Sequence, residues 1–182
     1  MSMIRTGKFP KEARRFRGNA ERGAQLLEFA FAAPILLLLV VGAWDVGSTI
    51  ALKQKLTNAA LQGARIASSA QWKTSTSCPS APCVITDAEN AVVLYLQNAN
   101  VDASCISSAT VSTSGLSPSS YYTWTCSGST TSLDIREVAT NGVVNVQVTL
   151  TYPVKWITTG FMGLGPPGST VSTRVTMVNV GS

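Results

Sequence analysis

Polar and apolar positions change period several times along the chain. The first twenty-two residues are basic and polar, and residues 24–44 are then apolar with Glu28 as their only charge. At about 1.5 Å per residue a helix of that length spans about 30 Å, the thickness of a bilayer core, so the pattern predicts one membrane-spanning helix. Pro34 lies inside it, has no N–H for the Ala30 carbonyl, and predicts a bend. Beyond Trp44 the residues Leu52, Leu56, Ala59, Gly63, Ile66 and Ala70 recur at spacings of four and three, the stripe of a helix that continues over residues 45–72. That stripe fits either a seam against other helices or a seam against the chain's own sheet, and the second is preferred because amphipathic helices usually pack at home. Lys53, Lys55 and Arg65 fall on the solvated face, and Asp45 marks the outer interface of the bilayer.

Ser, Thr and Pro around Cys78 mark a loop, and Thr86-Asp87-Ala88-Glu89 reads as a capping box that opens a second helix with Ala88, Val92, Tyr95, Leu96 and Ala99 on its apolar face. Residues 107–132 are dense in Ser and Thr with Tyr121, Tyr122 and Trp124 embedded, which predicts one or two surface strands and a long turn. After the turn signal Asn141-Gly142, Val144, Val146, Val148, Leu150 and Tyr152 alternate with polar residues as a strand with one buried face. A last strand, residues 170–180, pairs with it antiparallel. Helices first and strands last predict an α+β fold, a long N-terminal membrane-spanning helix continuing into a domain with a second helix and a small antiparallel β-sheet over residues 73–182.

The formal charge of +5 suggests an acidic partner until its distribution is considered. Seven of the fourteen basic residues precede Gly23, opposed only by Glu12 and Glu21, so the remainder of the chain is formally neutral. Nucleic acid is not an expected partner. Basic residues on one side of an apolar span hold that side in the cytoplasm. Residues 1–23 therefore read as a cytoplasmic leader, and residues 73–182 as an extracytoplasmic domain. Cys78, Cys83, Cys105 and Cys126 all fall on the translocated side, where an oxidising compartment lets them pair. Three pairings exist, and the sequential one, Cys78 with Cys83 and Cys105 with Cys126, is preferred because it closes the two shortest loops. Zinc is the rival for these thiols, but the chain has no histidine and the cysteines are not spaced as close knuckles, so neither metal nor cofactor is expected.

Three readings compete for the N-terminus. A secretory signal would use Val41-Gly42-Ala43 as its cleavage site, yet the apolar run is long, holds a glutamate and continues past Ala43 in helical pattern. An uncleaved anchor that carries an extracytoplasmic binding domain is the second. The third is a prepilin leader, cut on the cytoplasmic side before the apolar helix, for which Gly23 followed five residues later by Glu28 is the fitting arrangement. An ionisable group in lipid costs a few kcal/mol and usually has a partner. Glu28 near the helix start either reaches back to the headgroups or serves another subunit.

Arg22-Gly23-Ala24, then Leu27-Glu28-Phe29-Ala30-Phe31-Ala32-Ala33-Pro34 and a leucine run, resembles the TadE-like and TadF-like pseudopilins of tight adherence pilus systems, and the later Leu56-Thr57-Asn58-Ala59-Ala60 and Gly63-Ala64-Arg65 resemble the post-membrane helix of that family. The resemblance implies cleavage after Gly23, with Gly23 and Ala24 as processing residues, and an assembly role for Glu28 with Phe29 beside it. It also implies a minor pilin of an adhesion pilus, at its tip or base or in its initiation. The implied partners are the inner membrane, a prepilin peptidase, an assembly platform and other pilin subunits in a hetero-oligomer, with the C-terminal domain periplasmic or, in an assembled pilus, extracellular.

The segment after residue 153 carries Trp156, Phe161, Met162 and Leu164 among glycines and prolines. Trp156 and Phe161 are candidate docking residues, or equally a lid folded over the sheet. An enzyme is not expected: the usual general base is missing, the acids Asp87, Glu89, Asp102, Asp134 and Glu137 form no paired arrangement in the sequence, and there is no glycine-rich phosphate loop.

Overall fold

The computed structural model describes residues 17–70, 72, 77–78, 81–114, 120–157 and 168–180. They form an α+β architecture of three helices, α1 (Arg17–Ala67), α2 (Cys83–Asn98) and the short α3 (Ser104–Ser108), and five strands, β1 (Val111–Ser114), β2 (Tyr121–Thr125), β3 (Ser132–Thr140), β4 (Val143–Pro153) and β5 (Thr170–Val178). The strands make one antiparallel meander in the order β1-β2-β3-β4-β5. By contacts the chain divides into two units, Met1–Trp44 and Asp45–Ser182.

In the second unit the core lies between one face of the sheet and the two longer helices. Leu133 and Ile135 of β3, Val146, Val148 and Leu150 of β4, and Tyr122 and Trp124 of β2 point inward, every second residue as a pleated strand requires. Leu56, Ala59, Ala60, Ala64 and Ala67 of α1 and Ile85, Ala88, Val92 and Leu96 of α2 close over them. The helical stripe therefore packs within its own unit. Gly63 shows how tightly: a Cβ there would lie 2.6 Å from Cγ2 of Val92. Ties at three levels lash α1 alongside the last strands. Ile157 donates its N–H to Asp45 Oδ1 at 3.0 Å, the Thr57 and Thr173 hydroxyls meet at 2.9 Å, and Val180 donates its N–H to the Ser68 carbonyl at 3.1 Å.

The turn Asn141-Gly142 joins β3 to β4 with Thr140 opposite Val143, both turn residues having positive φ (53° and 79°). A two-residue hairpin loop needs that geometry, and Asn-Gly supplies it at little cost. β5 pairs antiparallel with β4, Thr170 opposite Pro153 through Val178 opposite Asn145. Cys78 is bonded to Cys83 and Cys105 to Cys126, the second bridge tying α3 to the end of β2.

The structure differs from the sequence expectation at several points. α2 opens at Cys83 with Pro82 as its N-cap and no side-chain cap, so Thr86-Asp87-Ala88-Glu89 lies inside the helix. The Pro82 carbonyl already accepts from Ile85 and Thr86, and the bridged Cys83 occupies the first turn. α1 ends at Ala67 and not at residue 72, because Ser68 and Ser69 tighten the last turn and the Trp72 indole N–H caps the Ala67 carbonyl at 2.9 Å. Lys55 is not simply solvated, since its ammonium donates to the Ala99 carbonyl at 2.8 Å and holds the end of α2. Strand β3 answers to no strand read from the sequence.

Candidate functional site

The features singled out at the N-terminus all fall on α1, in the first unit. From Gly23 onward the helix is long and apolar enough to cross a membrane, and none of its apolar window is buried within the chain. Leu26, Leu27, Phe29, Phe31, Ile35, Leu36, Leu37 and Leu39 are exposed around its whole circumference. A helix apolar on every side belongs in lipid or among other apolar helices. This is one N-terminal helix suited to anchoring in a membrane. The helix is unbroken through Pro34.

Gly23 and Gly63 differ in what surrounds them. A Cβ on Gly23 would meet no atom within 4 Å, and the same holds at Gly42 and Gly47. Glycine in a helix costs about 1 kcal/mol relative to alanine. Packing therefore accounts for Gly63, whereas among the described residues nothing in the fold calls for glycine at 23. Ala24, Glu28 and Phe29 are likewise exposed. On a helix Glu28 stands one turn beyond Ala24, so the two share a face.

In the second unit two carboxylates sit below the surface. Glu137, 5% exposed, accepts from the Ser120 hydroxyl at 2.7 Å and the Asn179 amide at 3.3 Å, so the strand preceding the hairpin turn is pinned to the segments before β2 and after β5. Asp45 accepts from the Ile157 backbone through its side chain, and its carbonyl takes the Ser48 and Thr49 hydroxyls. Glu89 is partly buried beside a cleft of about 610 Å³ lined by Cys78, Thr86, Ser107, Thr110 and Trp124. Loss of hydration raises its carboxyl above the ordinary glutamate range, offset in part by a hydrogen bond with Trp124. Exposed Asp102 moves the other way, because the Ser104 hydroxyl and N–H both donate to it. Burial raises the phenols of Tyr122 and Tyr152. On the outer face of the sheet Asp134 accepts from the Thr123 hydroxyl and pairs with Arg136 at 2.7 Å. Among the described residues no three His, Cys, Asp or Glu side chains converge as metal ligands.

Asp45, Glu89, Asp102, Asp134 and Glu137 thus lie at five separate places, each with its own partners. Trp156 is half-buried, with its indole N–H buried and without a partner among the described residues, while the next residue, Ile157, is exposed. Phe161, its companion as a candidate docking residue, lies outside the described residues. The buried positions of Asp45 and Glu137 carry no signal in the sequence. Each is an isolated acid in a polar context, and only the partner that the fold brings to it distinguishes it.

Residues 23–65 match the TadE-like protein family, a structural component of pilus systems. The match begins at Gly23, takes in the apolar helix and ends within the packed stripe of α1, before the first strand. It is consistent with a TadE-like, pilus-associated protein of Tad pilus systems. No curated protein and no solved structure matches the chain.

Proposed function

We propose that this chain is a minor pilin, or pseudopilin, inserted in the inner membrane by residues 24–44, cleaved after Gly23 by a prepilin peptidase, and assembled with other pilin subunits into an adhesion pilus. One observation carries the reading. The family match opens at a helical glycine that packing does not require, followed by Glu28 on an apolar helix exposed on every side.

The chemistry follows from those residues. Cleavage between Gly23 and Ala24 leaves an ammonium on Ala24, still at the cytoplasmic end of the helix. A carboxylate in hydrocarbon without a partner is costly, whereas one facing a cation in the same low-dielectric layer is held strongly. Glu28 of one subunit therefore pairs with the Ala24 ammonium of a neighbour, and this contact fixes the axial register of the two helices. The exposed leucines and phenylalanines supply the lateral packing, first against lipid and then against other pilin helices. The domain after Asp45 stays on the far side of the membrane, where its two disulfides are stable. Its role is structural, as a tip, base or initiating subunit.

Glu28→Ala tests the pairing. Insertion and cleavage are expected to proceed as in the parent chain, while incorporation into pili, measured by immunoblot of sheared filaments, is lost. Normal piliation by that variant contradicts the mechanism.

A further inference from the structure

Asp45 is the first residue after the apolar run, and its side chain is spent on a segment more than a hundred residues away. The bond to the Ile157 N–H sets Ile157 level with the start of the second unit, and Lys155 lies further along, beside a cleft lined by Ser48, Thr49 and Leu52. Ile157 is 53% exposed, and so, flanking the packed face of α1, are Val46 (55%) and Ile50 (54%), with Lys53 next on the same helical line. From Asp45 to Ile50 is five residues, a rise of about 7.5 Å. A bilayer's headgroup layer is of similar depth, about 5–8 Å on each side of the hydrocarbon.

We propose that Val46, Ile50, Lys155 and Ile157 form a lipid-facing platform that rests in the headgroup layer of the bilayer, and that Asp45 is the positioning residue that holds the Ile157 segment there. The proposal rests on the membrane-anchor reading of residues 24–44. Its occupant is fixed by adjacency, since a chain crossing the hydrocarbon up to Trp44 must carry Val46, one residue past Asp45, through the headgroups. Apolar side chains with lysines above them match that layer, the alkyl groups at the acyl boundary and the ammonium groups among the phosphates. The carboxylate does not oppose the anionic surface, because it is buried and engaged by a backbone N–H.

Nitroxide accessibility tests this. All four cysteines are paired, so one added cysteine labels uniquely. The full chain is labelled at Ile157→Cys, at Val178→Cys near the opposite end of β4, and at Leu36→Cys, then reconstituted at low density in phosphatidylethanolamine and phosphatidylglycerol vesicles. Relaxation by oxygen is compared with relaxation by a water-soluble nickel chelate. The expected result is an oxygen-dominated signal at 36 and 157 and a nickel-dominated one at 178. Nickel dominance at 157 with oxygen dominance at 36 overturns the platform and leaves the anchor standing; nickel dominance at 36 removes the anchor and the platform with it. Low access of both reagents at 157 means protein covers the face, which also overturns the proposal. Asp45→Ala is expected to lower the oxygen-to-nickel ratio at 157 severalfold, and Asp45→Asn, which keeps an acceptor oxygen, to preserve it. An unchanged ratio in folded Asp45→Ala overturns the role of Asp45.

Discussion

A side chain on Gly63 has nowhere to go, because its Cβ would fall 2.6 Å from a methyl of Val92, itself a stiff β-branched residue. Gly63→Val is expected to destabilise the domain by about 1–3 kcal/mol, the usual cost of overpacking. Chemical denaturation of the full chain in detergent reads this, and Val92→Ala in the same background should recover part of the loss. Glu89 gives a pH signature. Its folded-state pKa is raised, chiefly by burial, so the stability associated with its neutral form is present below the ordinary glutamate range and lost as pH rises through the folded value. Glu89→Gln removes that loss. Thermal midpoints should therefore favour the variant more at pH 7 than at pH 4, and equal differences at both pH values would contradict the assignment. Glu28 and Gly23 were legible in sequence because a charge in an apolar run and a glycine at its edge stand out against their surroundings. Asp45 and Glu137 were not, since their significance lies in partners at Ile157, Ser120 and Asn179 that only folding brings near.

Among elements, β4 is readable because Val144, Val146, Val148, Leu150 and Tyr152 alternate with polar residues without interruption, and β5 is readable as its partner although Thr173 stands among its inward residues Val171, Val175 and Met177. β3 carries the same alternation, Leu133 and Ile135, but its third inward position is Glu137 and its outward residues are Asp134 and Arg136, so the apolar signal fades. The Asn141-Gly142 turn carries a strand on both sides, and only the second shows clear alternation in the sequence. The capping-box pattern Thr86-Asp87-Ala88-Glu89 does not mark the start of α2, which Pro82 and the Cys78–Cys83 bridge set. The two bridges should differ in worth. A chain-entropy account assigns about 3 kcal/mol to the loop closed by Cys105–Cys126 and about 2 kcal/mol to that closed by Cys78–Cys83. Serine replacement of each pair in turn, followed by thermal denaturation, should show the larger fall for Cys105 with Cys126, which also ties α3 to the sheet.

At the scale of the whole molecule the chain divides into two units whose surfaces differ in character. Residues 23–44 expose apolar side chains on every side, and among the described residues from Asp45 onward the apolar core lies beneath a five-stranded sheet. The family match spans the apolar helix and part of the stripe that packs beneath the sheet, and leaves every strand outside it. That division suits the proposed pilus role: an apolar helix would have to fit its neighbours in a shared bundle, whereas a sheet domain with its own core would be under no such constraint. Removal of the leader at the cytoplasmic edge of that helix, as proposed, is read by N-terminal sequencing and intact mass measurement of the protein recovered from native membranes under non-reducing conditions. The expected product begins at Ala24 with its four cysteines oxidised; a chain that begins at Met1, or one cut near Trp44, would contradict prepilin-type processing.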